Sequence, residues 1–235
     1  MIQVQDFSCY YKNRKKYVRA LDGLTFTVAD GELFVVAGES GCGKTSLLQS
    51  ILGRLEYTEG SLLIDGVSCE AADLGDIGYV RQEPGLYPHM TVYENIAFPL
   101  RVLHTAQAEI DRRVREMAEA AEIGFLLTRK PKQLSLGQQQ RVAVARALIK
   151  QPSLVLMDEP FSNLDPALRT SMRQLVRTLH EQFRPTIVFV THDLAEAFSL
   201  ADRLLVLEDG HIADMDTPMG LLEHHHSELL RIFLK

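Results

Sequence analysis

The 235 residues carry 25 Lys+Arg against 31 Asp+Glu, a formal charge of −6, with 46% hydrophobic and 24% charged positions. That is the make-up of an ordinary globular chain, long enough for one large domain or two small lobes, and its acidic balance argues against a nucleic-acid partner, which calls for a basic face. No apolar run approaches the ~18–20 residues of a spanning helix, and charged and polar residues from Gln3 onward interrupt any leader, so a link to a membrane is expected to run through a partner.

In chain order, Ile2 to Phe7 and Leu24 to Val28 are short strand-like pieces of antiparallel hairpin type, as is Ser61 to Ile64. The basic cluster Lys12, Arg14, Lys15, Lys16 and Arg19 between the first two reads as a solvated surface. Leu33 to Ala37 is continuously apolar, as a strand covered on both faces is. It runs into Gly38-Glu39-Ser40-Gly41-Cys42-Gly43-Lys44-Thr45, the pattern GxxxxGK[ST], and then into a helical stripe of Leu47, Leu48, Ile51, Leu52 and Leu55. Strand, glycine loop and helix together make a phosphate cradle. The glycines let successive N–H groups turn inward, Lys44 reaches the β- and γ-phosphates, Thr45 ligates Mg²⁺, and the helix start adds its positive dipole end. The candidate nucleotide site extends to Ser46.

From about 84 to 150 the strand signal fades, and Ile110, Val114, Met117, Ala118 and Ala121 mark an amphipathic helix. Ser135 and Gln138 form an S-x-x-Q capping box ahead of Val142, Ala145, Leu148 and Ile149. Next, Leu154 to Met157 form a buried strand ending in Asp158 and Glu159. There Asp158 is placed to hold Mg²⁺ through water, and Glu159 to polarise an attacking water. Asp165 and Pro166 open a helix with the stripe Met172, Leu175, Val176, Leu179 and Phe183. Ile187 to Val190 is a further strand, followed by Thr191-His192-Asp193, where Asp193 and Glu196 are expected to form another capping box. Leu204 to Leu207 is the last strand run, and His224, His225 and His226 read as solvated. Cys9, Cys42 and Cys69 have no metal-ligand spacing and read as free thiols. The alternation implies an α/β fold of the P-loop NTPase type with a mainly parallel sheet. An antiparallel β subdomain precedes it and a helical lobe of about 84–150 is inserted in it, the core being 1–83 and 151–235.

Leu134-Ser135-Leu136-Gly137-Gln138-Gln139-Gln140-Arg141 resembles the LSGGQ signature of ABC ATPases, and the other marks of that family stand in order along essentially the whole chain. Gln82 matches the glutamine that joins the nucleotide and Mg²⁺ site to the membrane subunit. Ser162-Asn163-Leu164-Asp165 matches the D-loop, His192 the switch histidine, and Tyr11 the aromatic that stacks on adenine, with Tyr10 and Tyr17 as near competitors. The resemblance implies a head-to-tail dimer of two copies with two ATP sandwiched between cradle and signature, where Ser135, Gly137 and Gln138 meet the γ-phosphate held by the other copy. It also implies transmembrane permease subunits, an extracytoplasmic substrate-binding protein, and a place on the cytoplasmic face of the membrane. Leu136 departs from the pattern, standing where the first of two glycines is usual. Residues 86–100 and 158–165 resemble bacterial importers of ions and small nutrients, and an end at Lys235 suggests a compact member. An export or lipid-release ATPase shares these motifs. A soluble ABC ATPase usually shows tandem cores or long insertions, and neither is seen.

Overall fold

The computed structural model describes residues 1–13, 16–55, 57–69 and 76–234, except for the side chains of 11–13, 16, 17 and 57. The chain packs as two bodies, Met1–Gly75 with Thr186–Lys235, and Asp76–Pro185.

The first body opens with β1 (Ile2–Asn13), β2 (Lys16–Val28), β3 (Leu33–Ala37), α1 (Lys44–Ile51), β4 (Tyr57–Ile64) and β5 (Val67–Ser68). The antiparallel sheet has the order β2-β1-β4-β5. Both strands of the first hairpin run further than apolar alternation suggests, because the ladder continues through polar pairs such as Tyr10↔Arg19 and Asn13↔Lys16. The register of β1 on β4 shifts between Gln5 and Ser8. At this bulge Asp6 takes a positive φ of 46°, and a Cβ on Gly60 would lie 2.3 Å from the Asp6 carbonyl oxygen. Only glycine fits so close a backbone approach.

The same body resumes with β8 (Thr186–Thr191), α6 (Leu194–Leu200), β9 (Arg203–Glu208), β10 (His211–Asp216), α7 (Pro218–Glu223) and α8 (Glu228–Phe233). Here β3 lies between β8 and β9, parallel to both, and β10 closes the edge antiparallel to β9. Every residue of β3 and β8 is buried, as expected of strands covered on both faces. The stripe of α1, Leu47, Leu48 and Ile51, is buried with them.

The second body holds β6 (Ile77–Val80), α2 (Val92–Val102), α3 (Gln107–Ala120), α4 (Leu136–Leu148), β7 (Leu154–Asp158) and α5 (Pro166–Phe183). The strands β6 and β7 pair in parallel. Gly78 lets α4 cross β6 closely, since a Cβ there would stand 2.8 Å from the Ala147 carbonyl oxygen. Ile110, Val114, Met117, Ala118 and Ala121 are buried on one face of α3 and its C-cap, and Met172, Leu175, Val176 and Leu179 on one face of α5, with Phe183 half-buried. Among the described residues no helix is long and apolar enough to cross a membrane.

Candidate functional site

The strand β3 delivers the chain from the buried sheet into the loop Gly38–Thr45. Two glycines there are sterically required. A Cβ on Gly38 would stand 2.3 Å from the Leu207 carbonyl oxygen, and one on Gly43 2.6 Å from that of Ala20. Gly43 is also the N-cap of α1 with φ 113°, a conformation costly for any L side chain. No side chain caps α1 and no acid lies in its first turn, so its amides and dipole are aimed at the loop, an arrangement that suits an anion. Lys44 is only 4% exposed, and its Nζ donates to the carbonyls of Gly38 and Glu39, both at 2.8 Å. The ammonium thus closes the loop into a ring. Glu39, Ser40 and Thr45 are exposed, and Ser46 is half-buried. Burial pushes the Cys42 thiol above its ordinary pKa, partly offset by the Lys44 charge.

In the same body His192 is exposed immediately after β8. The capping box expected after it is half formed. The Asp193 side chain accepts from the Glu196 amide at 3.1 Å. The Asp193 amide instead donates to Thr191 Oγ1 at 3.0 Å, and the Thr191 hydroxyl donates to Glu196 Oε2 at 2.7 Å. Thr191 intercepts the return bond because its buried hydroxyl ends the strand between the two groups, giving a three-residue relay that fixes the backbone flanking His192.

The second body carries the acids. Asp158 ends β7, half-buried after four buried apolar residues, and its Oδ2 accepts from the Tyr79 hydroxyl at 3.3 Å. Glu159 is half-buried with φ 44°, and its carbonyl accepts from Ser162 Oγ at 3.0 Å. Asp165 caps α5, accepting from the Leu168 amide at 3.0 Å. Ser135 and Gln138 form the reciprocal box at the start of α4, with bonds of 3.3 and 3.1 Å. Gly137 is buried under Leu168, whose methyls would lie 3.3 Å from a Cβ there, while Leu136 is 40% exposed. Gln82 is exposed just after β6. Tyr11 lies in β1 opposite Val18. Its side chain, and Arg14 and Lys15 altogether, lie outside the described residues.

The Thr45 hydroxyl and the Asp158 carboxylate are hard oxygen donors, the chemistry Mg²⁺ takes. Among the described residues no group of three His, Cys, Asp or Glu is assembled to hold a metal.

One buried polar residue belongs to no motif. Asn95 is fully buried in α2, and it accepts from the Tyr87 amide at 2.8 Å and donates to the Thr91 carbonyl at 2.9 Å. The one sign of it in the chain is a polar residue inside the apolar stripe Val92, Ile96 and Leu100.

A model of the ABC transporter family matches residues 21–162. The chain is 44% identical over 225 residues to the sn-glycerol-3-phosphate import ATP-binding protein UgpC 3 of Rhizobium johnstonii, covering 94% of this chain and 65% of that one. It is 46% identical over 214 residues to UgpC of Cereibacter sphaeroides, covering 89% and 61%. It therefore spans less than two thirds of the length of these relatives. Among solved structures it is similar to the ATP-binding cassette MJ0796, dimeric and bound to ADP and Pi, with a TM-score of 0.80 and 32% identity over 93% of this chain and 99% of that one. It is also similar to cbiO1 from Clostridium perfringens, part of the ABC transporter complex cbiONQ, with a TM-score of 0.86 and 26% identity over 95% and 90%.

Proposed function

This chain belongs to the ABC transporter family, and from that premise we propose that it binds and hydrolyses ATP to power import of a small solute. It does so as a dimer docked on the cytoplasmic face of permease subunits, which are served by an extracytoplasmic substrate-binding protein. The observation that carries the reading is the Lys44-closed loop, where Gly38 and Gly43 leave the backbone no room for a side chain. The import names of the relatives favour uptake.

In this reading Gly38 to Ser46 cradle the triphosphate, with Lys44 on the β- and γ-phosphates, and Tyr11 stacks on adenine. Thr45, Asp158 and Gln82 would hold Mg²⁺, which would offset phosphate charge when bound. Glu159 orients and deprotonates the attacking water, and His192 steadies the γ-phosphate. Ser135, Gly137 and Gln138 at the α4 terminus, with Asp165, meet the nucleotide of the second copy. Contacts made only in the closed dimer let ATP favour closure, and hydrolysis removes them. The lobe 84–150 and Gln82 pass closure to the permease.

The test is Glu159→Gln. Loss of the general base should lower hydrolysis by at least ~10²-fold while leaving ATP binding and ATP-driven dimerisation intact, read by phosphate release and light scattering. A variant that neither binds ATP nor dimerises with it would refute the reading.

A further inference from the structure

The stretch between β6 and α2 has no regular ladder of its own, so its carbonyls need partners from elsewhere. Two side chains of α4 supply them. Gln140, 1% exposed, donates through Nε2 to the Arg81 carbonyl at 3.1 Å. Arg146 donates through its two terminal nitrogens to the carbonyls of Gly85 and Pro84, at 3.0 and 3.1 Å. Its guanidinium carbon lies 5.5 Å from the centre of the Tyr87 ring. Burial pushes this guanidinium below its ordinary pKa, so carbonyl dipoles and the ring stand in for much of its water. Tyr87 is itself anchored, its amide and carbonyl both bonded to Asn95. The two pins sit six residues apart on α4, roughly 9 Å along the helix axis. Between the pinned carbonyls of Arg81 and Pro84 lie only Gln82 and Glu83, both exposed.

The geometry points to Arg146 and Gln140 as positioning residues for Gln82, which tie its backbone to the helix that begins at Ser135 so that Gln82 and the signature travel as one piece. This rests on the proposed function, in which Gln82 serves the chain's own nucleotide and Ser135 that of the second copy. Displacement of the α4 terminus is then carried to Gln82 by the side chains of α4 itself. Arginine is needed at 146 because one planar fork bonds two carbonyls while lying on a ring, which a lysine ammonium cannot do.

The experiment is steady-state ATP hydrolysis by the full chain carrying Arg146→Lys, Arg146→Ala, Gln82→Ala and the double variant Gln82→Ala/Arg146→Ala. Each single variant should lower kcat by about 10- to 100-fold, the usual penalty for a misplaced group. KM for ATP should change little in the Arg146 variants, because neither the phosphate loop nor a proposed Mg²⁺ ligand is replaced. In the double variant, Arg146→Ala should add nothing to the loss from Gln82→Ala, as two steps of one linkage do. Tyr87→Leu, which removes the ring but no pinned carbonyl, keeps the test available if Arg146→Ala does not fold, and it should likewise be silent on the Gln82→Ala background. Losses that multiply, a change confined to KM, or an unaltered rate in Gln82→Ala would overturn the assignment while leaving ATP hydrolysis as the chain's activity. A wild-type chain with no ATP hydrolysis would instead sink the proposed function, and the clamp with it.

Discussion

At Gly43 two independent constraints meet: a φ of 113° and a backbone oxygen 2.6 Å from where a Cβ would stand. Gly41 carries only the first, with φ 89° and nothing within 4 Å of its Cβ position. The two alanine variants should therefore separate. Gly41→Ala bears strain alone, about 1–3 kcal/mol, and should still bind ATP. Gly43→Ala must also push the loop away from Ala20, which opens the ring closed by Lys44 and should abolish nucleotide binding in an equilibrium assay with a fluorescent ATP analogue. Equal affinities in the two variants would contradict the steric account of the cradle.

Among the elements, the relay after β8 decides how firmly His192 is presented. Thr191→Val keeps the shape but removes the hydroxyl that serves both the Asp193 amide and the Glu196 carboxylate, within a site where Thr191 and Glu196 are 2% and 3% exposed. The expected cost is about 1–3 kcal/mol of stability in urea unfolding. A value near zero would show that the relay is dispensable. Elements of this kind differ in how far the chain discloses them. The strands β3, β7, β8 and β9 were legible because burial on both faces demands unbroken apolar runs, and the Ser135 and Asp165 caps because their chemistry is local. By contrast β6 and β10 were missed. His211–Asp216 has no apolar alternation and is held as a strand by pairing along β9. The Asp193 box was overread, because the Thr191 hydroxyl two residues earlier takes the Asp193 amide in place of Glu196. Gln140 and Arg146 were invisible as site residues for a different reason: their partners are carbonyls of another segment, which any sequence could present.

For the whole molecule, nucleotide should act as a thermodynamic weight on the folded and assembled state. If Glu159→Gln traps ATP between two copies, saturating MgATP at about 100 times Kd should add about 2.7 kcal/mol to unfolding. The midpoint should then also rise with protein concentration, as it does when folding and association are linked. Differential scanning calorimetry at two protein concentrations checks both. A nucleotide shift independent of protein concentration would mean that each chain holds its nucleotide alone.

Glu159 sits on a backbone turned to φ 44°, a left-handed conformation that glycine accepts freely and that costs an ordinary L residue about 1–2 kcal/mol. Folding alone would choose glycine at that turn, whereas the water activation proposed for Glu159 demands a carboxylate. The cell thus meets a standing conflict at a single codon, where the most robust version of this protein is an idle one. Directed evolution for thermal tolerance without a transport selection would drift toward that idle form.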